Sequence, residues 1–154
     1  MDLGLAGKAA VVTGGSRGIG RAIALELARE GVRVALGARG PGALQEALAA
    51  LQAAGPGPHL AVPGDLATPE GIEALFARTA AQLGGVDLLV ANLGGSGART
   101  LADADEGDFR SVFERNFWPA LRASLRAVPE MRRRGGGAIV MVTSIWGREA
   151  GGGP

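Results

Sequence analysis

Three glycines and two arginines carry the first chemistry that can be read in this sequence. Gly14, Gly18 and Gly20 fall in the run Thr13-Gly14-Gly15-Ser16-Arg17-Gly18-Ile19-Gly20. A chain that turns sharply on glycines and opens a helix presents bare N–H groups and a positive helix end, which together suit a pyrophosphate. Arg17 lies inside that turn, and Arg39 follows the next apolar run. At the latter place a carboxylate would bind a ribose 2′-hydroxyl, whereas an arginine accommodates a 2′-phosphate. Ala38 stands where the acid would be needed, so the pattern points to NADP(H), with NAD(H) as the alternative. Ser144 follows another apolar run, 138–142, and a hydroxyl there sits at the edge where open α/β sheets bind ligands. The plainer alternatives are a pair of solvated arginines and a serine that only caps its strand.

These residues need a scaffold of alternating strands and helices, and the apolar pattern supplies one. Lys8 to Val12 is a short run rich in β-branched residues, as expected of a strand buried on both faces of a parallel sheet. Ile19, Ile23, Leu25, Leu27 and Ala28 then fall at helical spacings, placing a helix from Gly18 to about Glu30. Val32 to Leu36 is a second strand, Leu44, Leu48 and Leu51 mark a helix from Pro41 to Ala54, and His59 to Val62 is a third strand. Thr68 and Pro69 provide an N-cap and first-turn proline for a helix that runs through Leu83. Val86 to Val90 is a fourth strand and Ala138 to Val142 a fifth. Between them a long helix spans about Asp105 to Arg134, with Phe109, Val112, Phe113, Phe117, Leu121 and Leu125 at core-facing spacings and bends expected at Pro119 and Pro129. Arg132-Arg133-Arg134 followed by Gly135-Gly136-Gly137 reads as a helix end, cations there favouring the dipole. Asn116 falls among aromatic residues, where an amide needs buried partners.

The glycine spacing differs from the common dinucleotide fingerprint and lacks the lysine of a P-loop. It resembles instead the T-G-x-x-x-G-x-G motif of the short-chain dehydrogenase/reductase family, matched in full by Thr13 to Gly20. Ala91-Asn92-Leu93-Gly94 resembles that family's N-N-A-G segment, keeping Asn92 and Gly94 and departing at Ala91 and Leu93. The resemblance implies a doubly wound, Rossmann-type parallel sheet of order 3-2-1-4-5 in a single domain, 1–154. It implies cofactor contacts at Thr13, Gly14, Ser16, Arg17, Gly18, Ile19, Gly20, Arg39, Asp65, Leu66, Asn92 and Gly94, with Asp65 and Leu66 beside the adenine. It further implies that Ser144 hydrogen-bonds a substrate carbonyl and that Asn116 holds a water for proton relay. The reaction would be hydride transfer between NADP(H) and a small-molecule carbonyl or alcohol, with a 3-oxoacyl thioester among the candidates.

The family's chemistry also needs a Tyr beyond Ser144 and a Lys one helical turn after it. This sequence has no Tyr, its only lysine is Lys8, and it stops at Pro154. The expectation is therefore a cofactor half that ends after its fifth strand and is inactive alone; the alternative is a non-catalytic nucleotide-binding or assembly module. Composition narrows the rest. With 154 residues, 47% hydrophobic, the chain can bury a sizeable core. Without cysteine, and with the single His59, it offers no thiolate or histidine cluster for a metal. A net charge of +1 argues against general nucleic-acid binding. No window is long and apolar enough for a membrane span, so a cytoplasmic protein is expected. Apolar groups left beside the fifth strand favour a homo-oligomer.

Overall fold

The computed structural model describes residues 3–95 and 102–145. Ser96, Gly97, Trp146, Gly147 and the closing Gly151-Gly152-Gly153-Pro154 lie outside the described residues. Five parallel strands, β1 (Ala9–Thr13), β2 (Arg33–Ala38), β3 (Leu60–Pro63), β4 (Leu88–Ala91) and β5 (Ala138–Met141), form one sheet in the order β3-β2-β1-β4-β5. The helices α1 (Gly18–Arg29), α2 (Pro41–Ala54), α3 (Pro69–Leu83) and α4 (Glu106–Arg133) are the crossovers. In parallel sheets such crossovers are right-handed almost without exception.

Period-two alternation explains why β1 is apolar throughout. Ala9 and Val11 face the core shared with Leu75, Phe76 and Leu83 of α3 and with Ala123 and Ala127 of α4. Ala10 and Val12 face the opposite core, with Ala24 and Ala28 of α1 and Leu44 and Leu51 of α2. Every residue of β1 is buried, as a strand covered on both faces requires. Local signals set the helix ends. Thr68 Oγ1 accepts from Gly71 N at 3.1 Å, and Asp105 and Asp108 exchange side-chain to backbone bonds in a capping box. Gly84, at φ 77°, stops α3 in the left-handed region.

The long helix corrects one expectation. Phe109, Phe113, Phe117 and Leu125 do not face the core; Phe113 is 54% exposed and Leu125 66%. The sheet takes the other face of α4, through Pro119, Ala123, Ala127 and Met131, where small residues let helix and sheet approach closely. Both prolines lie inside the continuous helix. Phe113, Phe117 and Trp118 stack edge to face on the outside, with Arg122 over the Trp118 ring. Among the described residues β5 pairs only with β4, and its Val140 is 55% exposed. Among the described residues no helix is long and apolar enough to cross a membrane.

Candidate functional site

The strand order reverses between β1 and β4, and in open α/β sheets the crevice at such a point is the ligand site. The turn from β1 into α1 opens there. Gly14 has φ 68° and Gly18 φ 56°, conformations that an L side chain strains to adopt. Gly14 N donates to Gly37 O at 2.9 Å, tying the turn to β2. Gly20 serves a different need, close approach: a Cβ there would stand 2.5 Å from Gly14 O and would also meet the Asn92 amide.

A second latch joins the turn to β4. Thr13 is buried, and its Oγ1 accepts from Asn92 N at 3.0 Å and Leu93 N at 3.3 Å while donating to Val90 O at 3.4 Å. Asn92 answers by donating from Nδ2 to Gly14 O at 3.3 Å. Thr13, Gly14 and Asn92 therefore form one hydrogen-bonded unit across residues nearly eighty apart in sequence.

Around this unit lies a cleft of about 490 Å³, within the range usual for small-molecule sites. Gly14, Ser16, Arg17, Arg39, Asp65, Leu66, Asn92 and Gly94 all line it, joined by Ala38, Gly40, Ala43, Gly64, Ala67, Leu93 and Arg115. Thr13, Gly18, Ile19 and Gly20 do not: Thr13 and Gly20 build the turn from beneath, Gly18 opens α1, and Ile19 is exposed. Arg17 and Arg39 are exposed, and neither enters an ion pair among the described residues. Asp65 Oδ1 accepts from Ala67 N at 3.0 Å, shaping the turn before α3, while Leu66 is buried in the core below. Among the described residues three guanidinium groups thus face one carboxylate, a balance that favours an anionic ligand. The residues present fit a dinucleotide phosphate: bare N–H groups, glycines where a Cβ would intrude, and unpaired cations.

Asn116 and Ser144 lie off this lining. Asn116 Oδ1 accepts from Gly95 N at 2.9 Å, and Nδ2 donates to both Gly95 O and Val112 O at 2.8 Å. Both amide hydrogens are engaged, and one Oδ1 lone pair is left. The side chain thus clamps the loop after β4 to α4. Ser144 is exposed, three residues beyond Met141, which pairs with Ala91. Gly94 is equally far beyond Ala91, so both chains leave the sheet on the cleft side.

Sequence reasoning missed two features. Arg115 carries no signal in the sequence, because its place on the cleft follows only from how α4 packs beside the loop after β4. At the other end of β4, buried Asp87 accepts from Ala9 N at 2.8 Å and from Arg134 Nε at 2.8 Å, and Arg134 Nη1 donates to Gly84 O. Burial opposes the Asp87 charge, but the Arg134 and Ala9 hydrogen bonds and the charges of Arg134 and Lys8 outweigh it, holding the carboxyl below its ordinary value. Nothing local marked that pair, since its partners are 47 residues apart.

The fold and this site define a nucleotide-binding α/β protein, and sequence comparison supplies its family. The short chain dehydrogenase family model matches residues 8–153, and the chain belongs to that family of oxidoreductases. It is 34% identical to 7alpha-hydroxysteroid dehydrogenase of Escherichia coli over 144 residues, 94% of this chain and 56% of that protein. It is also 34% identical to a 3-oxoacyl-(acyl-carrier-protein) reductase of Staphylococcus aureus over 140 residues, 91% of this chain and 57% of that protein. The crystal structure of L-sorbose reductase from Gluconobacter frateurii, complexed with NADPH and L-sorbose, matches with a TM-score of 0.87 at 40% identity, over 92% of this chain and 54% of that one. A 7 alpha-hydroxysteroid dehydrogenase complexed with NADH and 7-oxo glycochenodeoxycholic acid matches with a TM-score of 0.89 at 33% identity, over 96% and 57%. The chain spans about half the length of these relatives.

Proposed function

We propose that this chain binds NADP(H) in preference to NAD(H) and forms the cofactor half of a carbonyl/alcohol oxidoreductase. The observation that carries the reading is the cleft itself: Arg17 and Arg39 flank it without ion pairs among the described residues, and Ala38 stands where a ribose-binding acid would be. The related L-sorbose reductase was solved with NADPH, while the hydroxysteroid dehydrogenase was solved with NADH, so both cofactors occur on this fold. When bound, the cofactor supplies the hydride. The chain's own residues do the rest: the Thr13–Asn92 latch fixes the phosphate turn, the guanidinium groups neutralise phosphate charge, and Asn116 holds the loop at Gly95. Ser144 Oγ donates to a substrate carbonyl, and the remaining Oδ1 lone pair of Asn116 receives a relay water.

No tyrosine is present to deliver a proton, so the 154 residues bind cofactor without turning over. The substrate class is carbonyl or alcohol, with 3-oxoacyl thioesters, hydroxysteroids and keto sugars as the candidates its relatives suggest. The chain also pairs with copies of itself through the apolar faces of α4 and β5. A second reading, a non-catalytic nucleotide-binding or assembly module, draws on the missing tyrosine. Equilibrium titration tests the cofactor claim: NADPH should bind more tightly than NADH, and Ala38→Asp combined with Arg39→Ala should reverse the order. An unchanged preference in that double variant would refute the assignment of this loop.

A further inference from the structure

One wall of the cleft, supplied by α4, has been counted so far only for its charge. The other lining residues come from the last residue of β2, from the loops that follow the strands or, in Ala43, from the start of α2, whereas Arg115 projects from the body of α4. Its side chain is exposed, and Nε donates to Ser111 O one turn back at 3.2 Å. That bond fixes the stem along the helix and leaves the two terminal nitrogens for a ligand. Arg110, Arg122, Arg126 and Arg133 of the same helix each have a carboxylate partner, and Arg132, which has none among the described residues, does not line the cleft. Arg115 enters no ion pair among the described residues, although Glu114 is its neighbour; Glu114 is turned to Arg122 instead.

Among the described residues Arg17 and Arg39 approach the same cleft from the β1 and β2 ends, also without ion pairs, and the one carboxylate there, Asp65, is engaged with Ala67 N. Cations converging on one cleft raise its potential and draw in an anion. The geometry points to Arg115 as a third cofactor-binding cation, facing the nucleotide from the α4 side and holding it through phosphate charge. This rests on the dinucleotide reading of the cleft. It assigns to α4, the helix that carries Asn116, a direct part in cofactor affinity, so that one helix both clamps the loop after β4 and grips what the loop helps to hold.

The test is a set of equilibrium titrations of the chain and its Arg115→Ala, Arg115→Lys and Arg39→Ala variants, with NADPH and with NADH, at low and at physiological salt. Because the Arg115 side chain is exposed, its variants should fold, which circular dichroism melting checks. Arg115→Ala should weaken both nucleotides on the order of tenfold at low salt. Arg115→Lys should keep most of the affinity, and the gap should narrow as salt screens the charge. Arg39→Ala should weaken NADPH and spare NADH. If Arg115→Ala binds both nucleotides like the unaltered chain while Arg39→Ala weakens NADPH, the role of Arg115 is overturned and the dinucleotide reading stands. Equal losses for Lys and Ala, indifferent to salt, would overturn it too, since shape rather than charge would then be acting. Failure of the unaltered chain to bind either nucleotide would sink the dinucleotide reading itself.

Discussion

Thr13→Val removes a hydroxyl and keeps the shape, so it isolates the latch between β1 and the loop after β4. Thr13 is 2% exposed, and its Oγ1 is the acceptor for the N–H groups of Asn92 and Leu93. A buried donor left without a partner costs about 1–3 kcal/mol. Both donors here are only partly buried, so the low end applies to each, and the added methyl returns up to about 1 kcal/mol of apolar burial. The net loss should be about 1 kcal/mol, a fall in Tm of roughly 2–4 °C for a chain of this size. Urea unfolding followed by circular dichroism measures it, with Thr13→Ser as the control that keeps the hydroxyl. NADPH affinity should fall alongside, because the loop at Asn92 and Gly94 must then be ordered by the ligand. A valine variant within about 0.5 kcal/mol of the parent, the range of neutral surface changes, would refute the latch.

Gly20→Ala should weaken NADPH on the order of tenfold or more, since its Cβ would stand 2.5 Å from Gly14 O and relieving such crowding costs about 1–3 kcal/mol; affinity equal to the parent's would contradict the close approach. Asp87 titrates below its ordinary value of 3.8, so its contribution to stability is complete above that value and is lost as pH falls through the lower folded value. Asp87→Asn should cost about 3 kcal/mol near neutral pH, the low end for breaking a buried ion pair because Arg134 is partly exposed, and flatten this acid limb of the stability curve. Phe113→Asp with Phe117→Asp should shift the chain toward monomer in sedimentation; a parent chain that is already a dilution-resistant monomer would exclude self-association.

The strands read clearly because their apolar runs are short and set off by glycines and prolines, and all five, the exposed β5 included, lie within a residue or two of the ends the sequence suggests. The third and fourth helices were equally plain at their starts, where Thr68-Pro69 and Asp105 cap them. The face of α4 was misread. Its phenylalanines recur at helical spacing, but periodicity identifies an apolar stripe without saying what covers it, and here the sheet took the alanine face. The glycine turn was legible as a motif; the hydroxyl that fastens it to β4 was not, because Thr13 and Asn92 meet only through the pairing of β1 with β4. His59 is a similar case: its role, accepting from Val34 N at 3.2 Å, follows from strand neighbours that the sequence alone does not pair.

The central claim is that the dinucleotide lies in the cleft between the glycine turn and the β4 loop. Backbone amide NMR during titration with NADPH tests it most directly. Saturable shifts should gather at Gly14, Ser16, Arg17 and Gly18, at Arg39, at Asp65 to Ala67 and at Asn92 to Gly94, with the α4 residues Phe109 and Phe113 on the outer face unmoved. Shifts confined to that outer face, or no saturable shifts at millimolar NADPH, would contradict it.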